Sequence, residues 1–184
     1  MGVVIRCANI HDPGPITKIF VESWQSTYAG ILPKKFLINL TKFSPKKTFW
    51  RSIIDNPSRQ KFLLVAEDSD AGVVGFISGG KPRIENLGIK GEIYELYLLE
   101  SFQGLGIGRL LFSKAANKLQ LMFGISLLVW VVEKNPSRYF YETLGGKKFA
   151  VCQENFAGIE IQQVCYAWED TNQFLGFVKQ KEGG

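Results

Sequence analysis

Gln103-Gly104-Leu105-Gly106-Ile107-Gly108 sets three alternating glycines between an apolar strand pattern, Glu92 to Leu99, and an amphipathic helix pattern beginning near Ile107. Glycine lets backbone N–H groups approach a ligand with no side chain in between. A helix start adds unpaired N–H groups and the positive end of the helix dipole. The chemistry on offer is anion binding of the kind that holds phosphate. The competing reading is a glycine turn that only starts a helix.

Two common phosphate loops do not fit. The nucleoside-triphosphate loop needs Gly-x-x-x-x-Gly-Lys-Ser/Thr, which this chain lacks. The dinucleotide fingerprint needs Gly-x-Gly-x-x-Gly and an acid about 20 positions on. Here the spacing is Gly-x-Gly-x-Gly, and no acid lies between Glu100 and Glu133. The single histidine, His11, sits in the turn-like His-Asp-Pro-Gly-Pro and reads as a surface loop residue. Histidine-based triads and metal sites are therefore disfavoured, and no metal is expected. Acid–base work falls to Glu, Asp, Tyr, Lys or water. Cys7, Cys152 and Cys165 are odd in number and widely spaced, which suits a reducing cytoplasm. Each reads as a small buried hydrophobe.

These residues need a scaffold, and 184 residues at 46% hydrophobic and 21% charged support one domain with a sizeable core. No run reaches the ~18 apolar residues of a membrane span, and the N-terminus lacks signal-peptide and myristoylation patterns. Residues 1–60 hold nine Lys and Arg against three Asp and Glu. Lys34, Lys35, Lys42, Lys46, Lys47 and Arg51 read as a solvated helix face rather than an anion or nucleic-acid site.

The expected elements run in this order: a strand at Val3 to Cys7, and a helix from Pro15 to Tyr28 with Ile16, Ile19, Phe20 and Trp24 on one face. Short helices follow from Pro33 to Leu40 and over 45–55. Strands Phe62 to Glu67 and Val73 to Ser78 flank Asp68-Ser69-Asp70-Ala71-Gly72, a hairpin signal. Gly79-Gly80 allows a bend or bulge. After the strand Glu92 to Leu99, a helix from Ile107 to Met122 buries Leu110, Leu111, Ala115, Leu119 and Met122. Ser126 to Val132 reads as a strand covered on both faces. Pro136 opens a helix ending at Gly145-Gly146. Lys147 to Cys152 and Ile159 to Trp168 form a last hairpin. A tail, 170–184, keeps Phe174, Leu175, Phe177 and Val178 for docking on this chain or a partner.

This order, with its glycine loop, resembles the GNAT superfamily of acyl-coenzyme A N-acyltransferases over roughly residues 3–168. Gln103, Gly106 and Gly108 occupy the marked positions of that family's Gln/Arg-x-x-Gly-x-Gly/Ala loop. Glu92-Ile93-Tyr94-Glu95-Leu96-Tyr97-Leu98-Leu99 resembles the preceding strand. Asn135 through Tyr141 to Gly146 resembles the later Asn…Phe-Tyr-Glu-x-Leu-Gly element. Trp24-Gln25-Ser26-Thr27-Tyr28-Ala29-Gly30-Ile31-Leu32-Pro33 resembles an N-terminal pattern of many bacterial members.

The resemblance implies an α+β fold over residues 1–169: one mixed, mostly antiparallel central sheet flanked by helices. It implies transfer of acetyl from acetyl-coenzyme A directly to a primary amine, with no covalent cysteine intermediate. Gly104, Leu105, Gly106, Ile107 and Gly108 would hold the pyrophosphate with Gln103, and Arg109 and Lys114 would reach phosphates. The Leu96 N–H would face the thioester oxygen, and the Leu98 backbone would pair with the pantetheine arm. Tyr141 is the candidate acid for the thiolate, ahead of Tyr139. Asn135 would contact pantetheine or cap its helix, although Asn135 to Tyr141 spans six positions where the common form spans seven.

For the base, Glu92 falls where some members carry a catalytic Glu and stands ahead of Glu95, which faces the other side of an ideal strand. A water relay stays open beside both. Trp24 and Tyr28 are candidate walls for the acceptor. The expected partner is a small-molecule amine, with no nucleic acid and no membrane, and a homodimer is left open. The alternative of a different class is a non-catalytic coenzyme A-binding sensor or partner module.

Overall fold

Hydrogen-bond pairing in the computed structural model arranges seven strands among the described residues in the order β1-β2-β3-β4-β5-β7-β6. The elements are β1 (Val3–Cys7), α1 (Pro13–Thr27), α2 (Lys34–Asn39), α3 (Pro45–Asp55), β2 (Lys61–Asp68), β3 (Gly72–Gly80), β4 (Gly91–Leu98), α4 (Ile107–Phe123), β5 (Leu127–Val132), α5 (Arg138–Thr143), β6 (Lys147–Phe156) and β7 (Ile159–Trp168). The expected mixed sheet with flanking helices is the observed fold. The structure describes residues 2–40, 45–56, 60–84, 86–156 and 158–172, so Lys42 and the apolar positions of the tail lie outside the described residues.

The chain divides into two compact units: Met1–Gly79 with Glu95–Ala115, and Gly80–Tyr94 with Ala116–Gly184. In the first, β1 pairs antiparallel with β2, from Val3 opposite Asp68 to Cys7 opposite Leu64. The hairpin into β3 turns where the expectation put it. Asp68 Oδ1 accepts from the N–H groups of Asp70 and Ala71, each at 3.0 Å, and these donors hold its carboxyl below the ordinary range. Ile16, Ile19 and Phe20 of α1 and Trp50 of α3 are buried with Phe76 of β3. Cys7 is exposed, contrary to its reading as a buried hydrophobe. It is the last residue of β1, and β1 is an edge strand with a neighbour on one side only.

α1 starts at Pro13, two residues earlier than expected. Proline is tolerated in a first helical turn because that N–H has no helical partner anyway. Asp12, just before it, is buried and does not cap the helix through its side chain. Its carboxylate accepts from Arg6 Nη1 at 2.7 Å and Nη2 at 3.0 Å, while Arg6 Nε and Nη2 also bond Glu67 at 2.6 and 3.0 Å. One guanidinium thus ties β1, β2 and the start of α1. Burial opposes ionisation of Asp12, but the donors from Arg6 and the Asn9 N–H still hold its carboxyl low; Arg6 lowers Glu67 as well.

A lowered carboxyl pKa stabilises the fold above its unfolded value of about 4 and loses that contribution as pH falls through the folded value. Arg6→Met is therefore expected to cost about 2 kcal/mol at pH 7. The gap between variant and parent melting points should narrow as pH falls from about 4 through the folded values of these carboxyls. A constant gap across pH in thermal melts would overturn this account.

In the second unit, β4 pairs parallel with β5 over Gly91, Glu92 and Ile93. β5 pairs antiparallel with β7, from Leu127 opposite Trp168 to Val132 opposite Gln163. β6 runs antiparallel to β7 with a bulge between Lys148 and Ala150. The α5 helix is shorter than expected and begins at Arg138, not Pro136. Asn135 Oδ1 accepts from the Ser137 N–H at 2.8 Å, which makes residues 135–137 a turn before the helix. After α5, Gly146 has no room for a side chain. A Cβ there would sit 2.7 Å from the Trp168 ring and 2.9 Å from the Tyr141 carbonyl. In α4, Leu111, Ala115 and Leu119 are buried as expected, whereas Leu110 and Met122 are only partly so.

Candidate active site

The glycine loop has the backbone that its sequence requires. Gly104 and Gly106 adopt φ of +74° and +82°, the left-handed region that glycine enters without strain. A side chain at either position would point into open space, so the backbone is accessible from outside. Ile107 is buried and anchors the first turn of α4, which carries no acidic residue. The Gly106 carbonyl accepts from the Leu110 N–H, so the helix ladder starts at the last left-handed glycine. Gly108 and Arg109 lie partly buried in that turn, while Leu105 and Lys114 are exposed. This is a positive, accessible helix start of the kind that accepts phosphate oxygens.

Gln103 braces the loop. Its N–H bonds the Glu100 carbonyl at 3.1 Å, and its side-chain amide donates to the Leu98 carbonyl at 3.2 Å. The Ser23 hydroxyl lies 3.4 Å from the same carbonyl. The Leu99 N–H bonds the Val74 carbonyl of β3 at 2.9 Å. Donors alternate sides along a strand, so Leu98 and Leu96 turn their N–H groups away from β3.

The two glutamates of β4 have different surroundings. Glu92 is fully buried. Its Oε2 accepts from the Arg83 N–H at 2.6 Å and its Oε1 from Arg83 Nε at 2.7 Å. The Arg83 guanidinium also lies over the Tyr94 ring, 5.3 Å from its centre. Burial and the Glu92 charge push the Tyr94 phenol up to about 12, and its O–H donates to the Lys81 carbonyl. Glu92 thus fastens the chain between β3 and β4. Glu95 is partly exposed, and its Oε2 accepts from the Ser78 hydroxyl at 3.2 Å. Ser78 and Arg83 were not singled out in the sequence. Ser78 follows an apolar strand run and Arg83 sits in a loop, and only the folded chain reveals their partners.

Tyr141 is buried in α5 between the rings of Tyr166, Trp168 and Phe140, at centroid distances of 6.3, 6.5 and 5.3 Å. Tyr139 is exposed, lies under the Arg138 guanidinium at 4.4 Å, and accepts from Arg138 Nη2 at 2.9 Å. Asn135 is buried and shapes the turn into α5. The rings of Trp24 and Tyr28, the expected acceptor walls, meet at a tilt of 46° with centres 4.7 Å apart, and Tyr28 is buried. His11 is exposed, as expected. Burial pushes the Cys165 thiol up to about 12 and raises Cys152. Among the described residues, no group of three or more His, Cys, Asp and Glu could hold a metal ion, and no helix is long and apolar enough to cross a membrane.

The profile of the Acetyltransferase (GNAT) family matches residues 19–146, from α1 through the glycine loop to the end of α5. The chain belongs to the GNAT acetyltransferase family. It is 36% identical over 170 residues to YuaI, an uncharacterized N-acetyltransferase of Bacillus subtilis, covering 91% of this chain and 94% of that one. It is also 27% identical over 150 residues to a spermidine N(1)-acetyltransferase of Thermoplasma acidophilum, covering 80% of this chain and 89% of that one. The same GNAT fold is seen in the crystal structure of the PaiA N-acetyltransferase of T. acidophilum in complex with coenzyme A. The TM-score is 0.67 at 22% identity, over 89% of this chain and 98% of that one.

Proposed function

We propose that this chain, through a domain of residues 1–169, transfers acetyl from acetyl-coenzyme A directly to a primary amine of a small molecule. The observation that carries the reading is the glycine loop, with accessible left-handed glycines opening onto an α4 first turn free of acids. When bound, acetyl-coenzyme A supplies an acetyl thioester. Backbone N–H groups from Gly104 to Gly108 hold the pyrophosphate, with Leu105 and Ile107 contributing main chain only and Arg109 adding charge. Gln103 keeps the loop in shape. The Leu98 main chain pairs with the pantetheine arm. The Leu96 N–H donates to the thioester oxygen as negative charge grows on it.

Most alkyl amines are protonated at pH 7, so a proton must leave before nitrogen attacks. Glu95 takes it, directly or through water, and releases it to solvent. Its partial exposure and Ser78-held geometry support this role over Glu92, whose oxygens already hold Arg83. Tyr141 gives a proton to the departing sulfur and regains one from the new amide nitrogen through solvent. The products are the amide, the free thiol and one proton. Asn135 positions α5 and with it Tyr141. The raised thiols of Cys152 and Cys165 support direct transfer, since the thiolate is the nucleophilic form.

Free-thiol release from acetyl-coenzyme A, with and without primary amines, tests the reading. Amine-dependent release is expected. Coenzyme A binding without release on any amine would instead support the non-catalytic binding module.

A further inference from the structure

We infer that the acceptor is a primary monoamine on an aromatic or aliphatic body, not a polycation. This rests on the acetyltransferase reading and narrows its substrate class.

Glu95 and Tyr97 lie two apart on β4, so their side chains leave the same side of the strand. The neighbouring β3 presents Ser78 and Phe76, also two apart. The Ser78 hydroxyl reaches Glu95, and the Phe76 ring lies 5.7 Å from Tyr97. Glu95 and Tyr97 therefore share one face of the sheet. From Tyr97 the rings continue without a break. Phe20 meets it edge-on at 5.7 Å, Trp24 follows at 5.2 Å, and Phe36 at 6.4 Å from Trp24. Phe20, Phe76 and Ser78 are buried and form the floor, while Trp24, Phe36, Tyr97 and Glu95 are partly exposed.

A carboxylate fixed by a buried hydroxyl at the head of a row of rings matches an ammonium group with an apolar body. The head pairs with Glu95, and the body lies along faces that attract cations and apolar groups alike. The surrounding charge disfavours further ammonium groups. On α1, which carries Phe20 and Trp24, Lys18 and Glu22 are exposed and pair at 3.9 Å; on α2 and α3, Lys34, Lys35, Lys47 and Arg51 are exposed against Asp55, which Arg51 bonds at 3.3 Å. Each extra positive charge on an acceptor would meet this surplus.

The test compares free-thiol release by the full chain with acetyl-coenzyme A and phenethylamine, tryptamine, hexylamine, putrescine or spermidine. Phenethylamine or hexylamine is expected to exceed spermidine by about ten-fold in kcat/KM. Tyr97→Leu, which keeps apolar volume but removes the ring face, should raise KM for phenethylamine several-fold more than for hexylamine, and an equal rise for both would overturn the role of the rings. Spermidine matching or exceeding the monoamines would overturn the inference and leave the acetyltransferase reading intact. Release with none of the amines would sink that reading, and the inference with it.

Discussion

Glu95→Gln should lower kcat by about 100- to 10,000-fold, the usual contribution of a positioned general base, while coenzyme A affinity stays within about two-fold of the parent value. The amide keeps the size of the carboxylate and can still contact Ser78, so the scaffold is preserved and proton acceptance is lost. Glu92→Gln serves as the comparison. Its carboxylate is wholly buried and holds both the N–H and the guanidinium of Arg83. Weakening that pair should lower the melting point and spare kcat at temperatures where the protein stays folded. Full activity in Glu95→Gln, with proton uptake carried by water alone, would remove Glu95 from the mechanism. A collapse of kcat in a well-folded Glu92→Gln would move the base to that position.

Gly106→Asp should weaken coenzyme A binding by about 100-fold. Two effects combine. A non-glycine residue in the left-handed region costs about 1–2 kcal/mol, and Gly106 has φ of +82°. A carboxylate about 4 Å from a phosphate charge adds on the order of 4 kcal/mol of repulsion near a protein surface, before screening and side-chain movement reduce it. Gly106→Asn separates the two, because Asn has nearly the same shape, carries no charge and enters the left-handed region more readily than most residues. Calorimetric titration with coenzyme A should show a much smaller loss for Asn than for Asp. Equal affinities for the two variants would mean that phosphate does not sit at this loop.

Strands and helices were legible wherever a local rule decides them. The Asp68–Gly72 signal marked the β2–β3 turn, and glycines marked the loop before α4. The ends were less legible. Pro13-Gly14-Pro15 looks like a turn, yet Arg6 draws Asp12 inward and α1 begins at Pro13. Asn135 defers α5 by a side-chain bond to a backbone N–H, and sequence alone does not rank that bond against a helical start. The site was legible in its backbone parts, because special φ values demand glycine. It was less so in its side chains. Glu92 and Glu95 differ in partners three strand positions apart, and those partners, Arg83 from a loop and Ser78 from β3, are not encoded by spacing.

The Arg83–Glu92 pair also bears on how this sequence can change over generations. Glu92 is fully buried, whereas the Arg83 side chain is 57% exposed. Losing Arg83 first would strand a charge in the interior, which is strongly destabilising. Losing Glu92 first would leave an arginine that can turn to water. Descent away from this pair therefore has a direction: mutational routes that neutralise position 92 before position 83 pass through folded intermediates, and the reverse order meets a barrier.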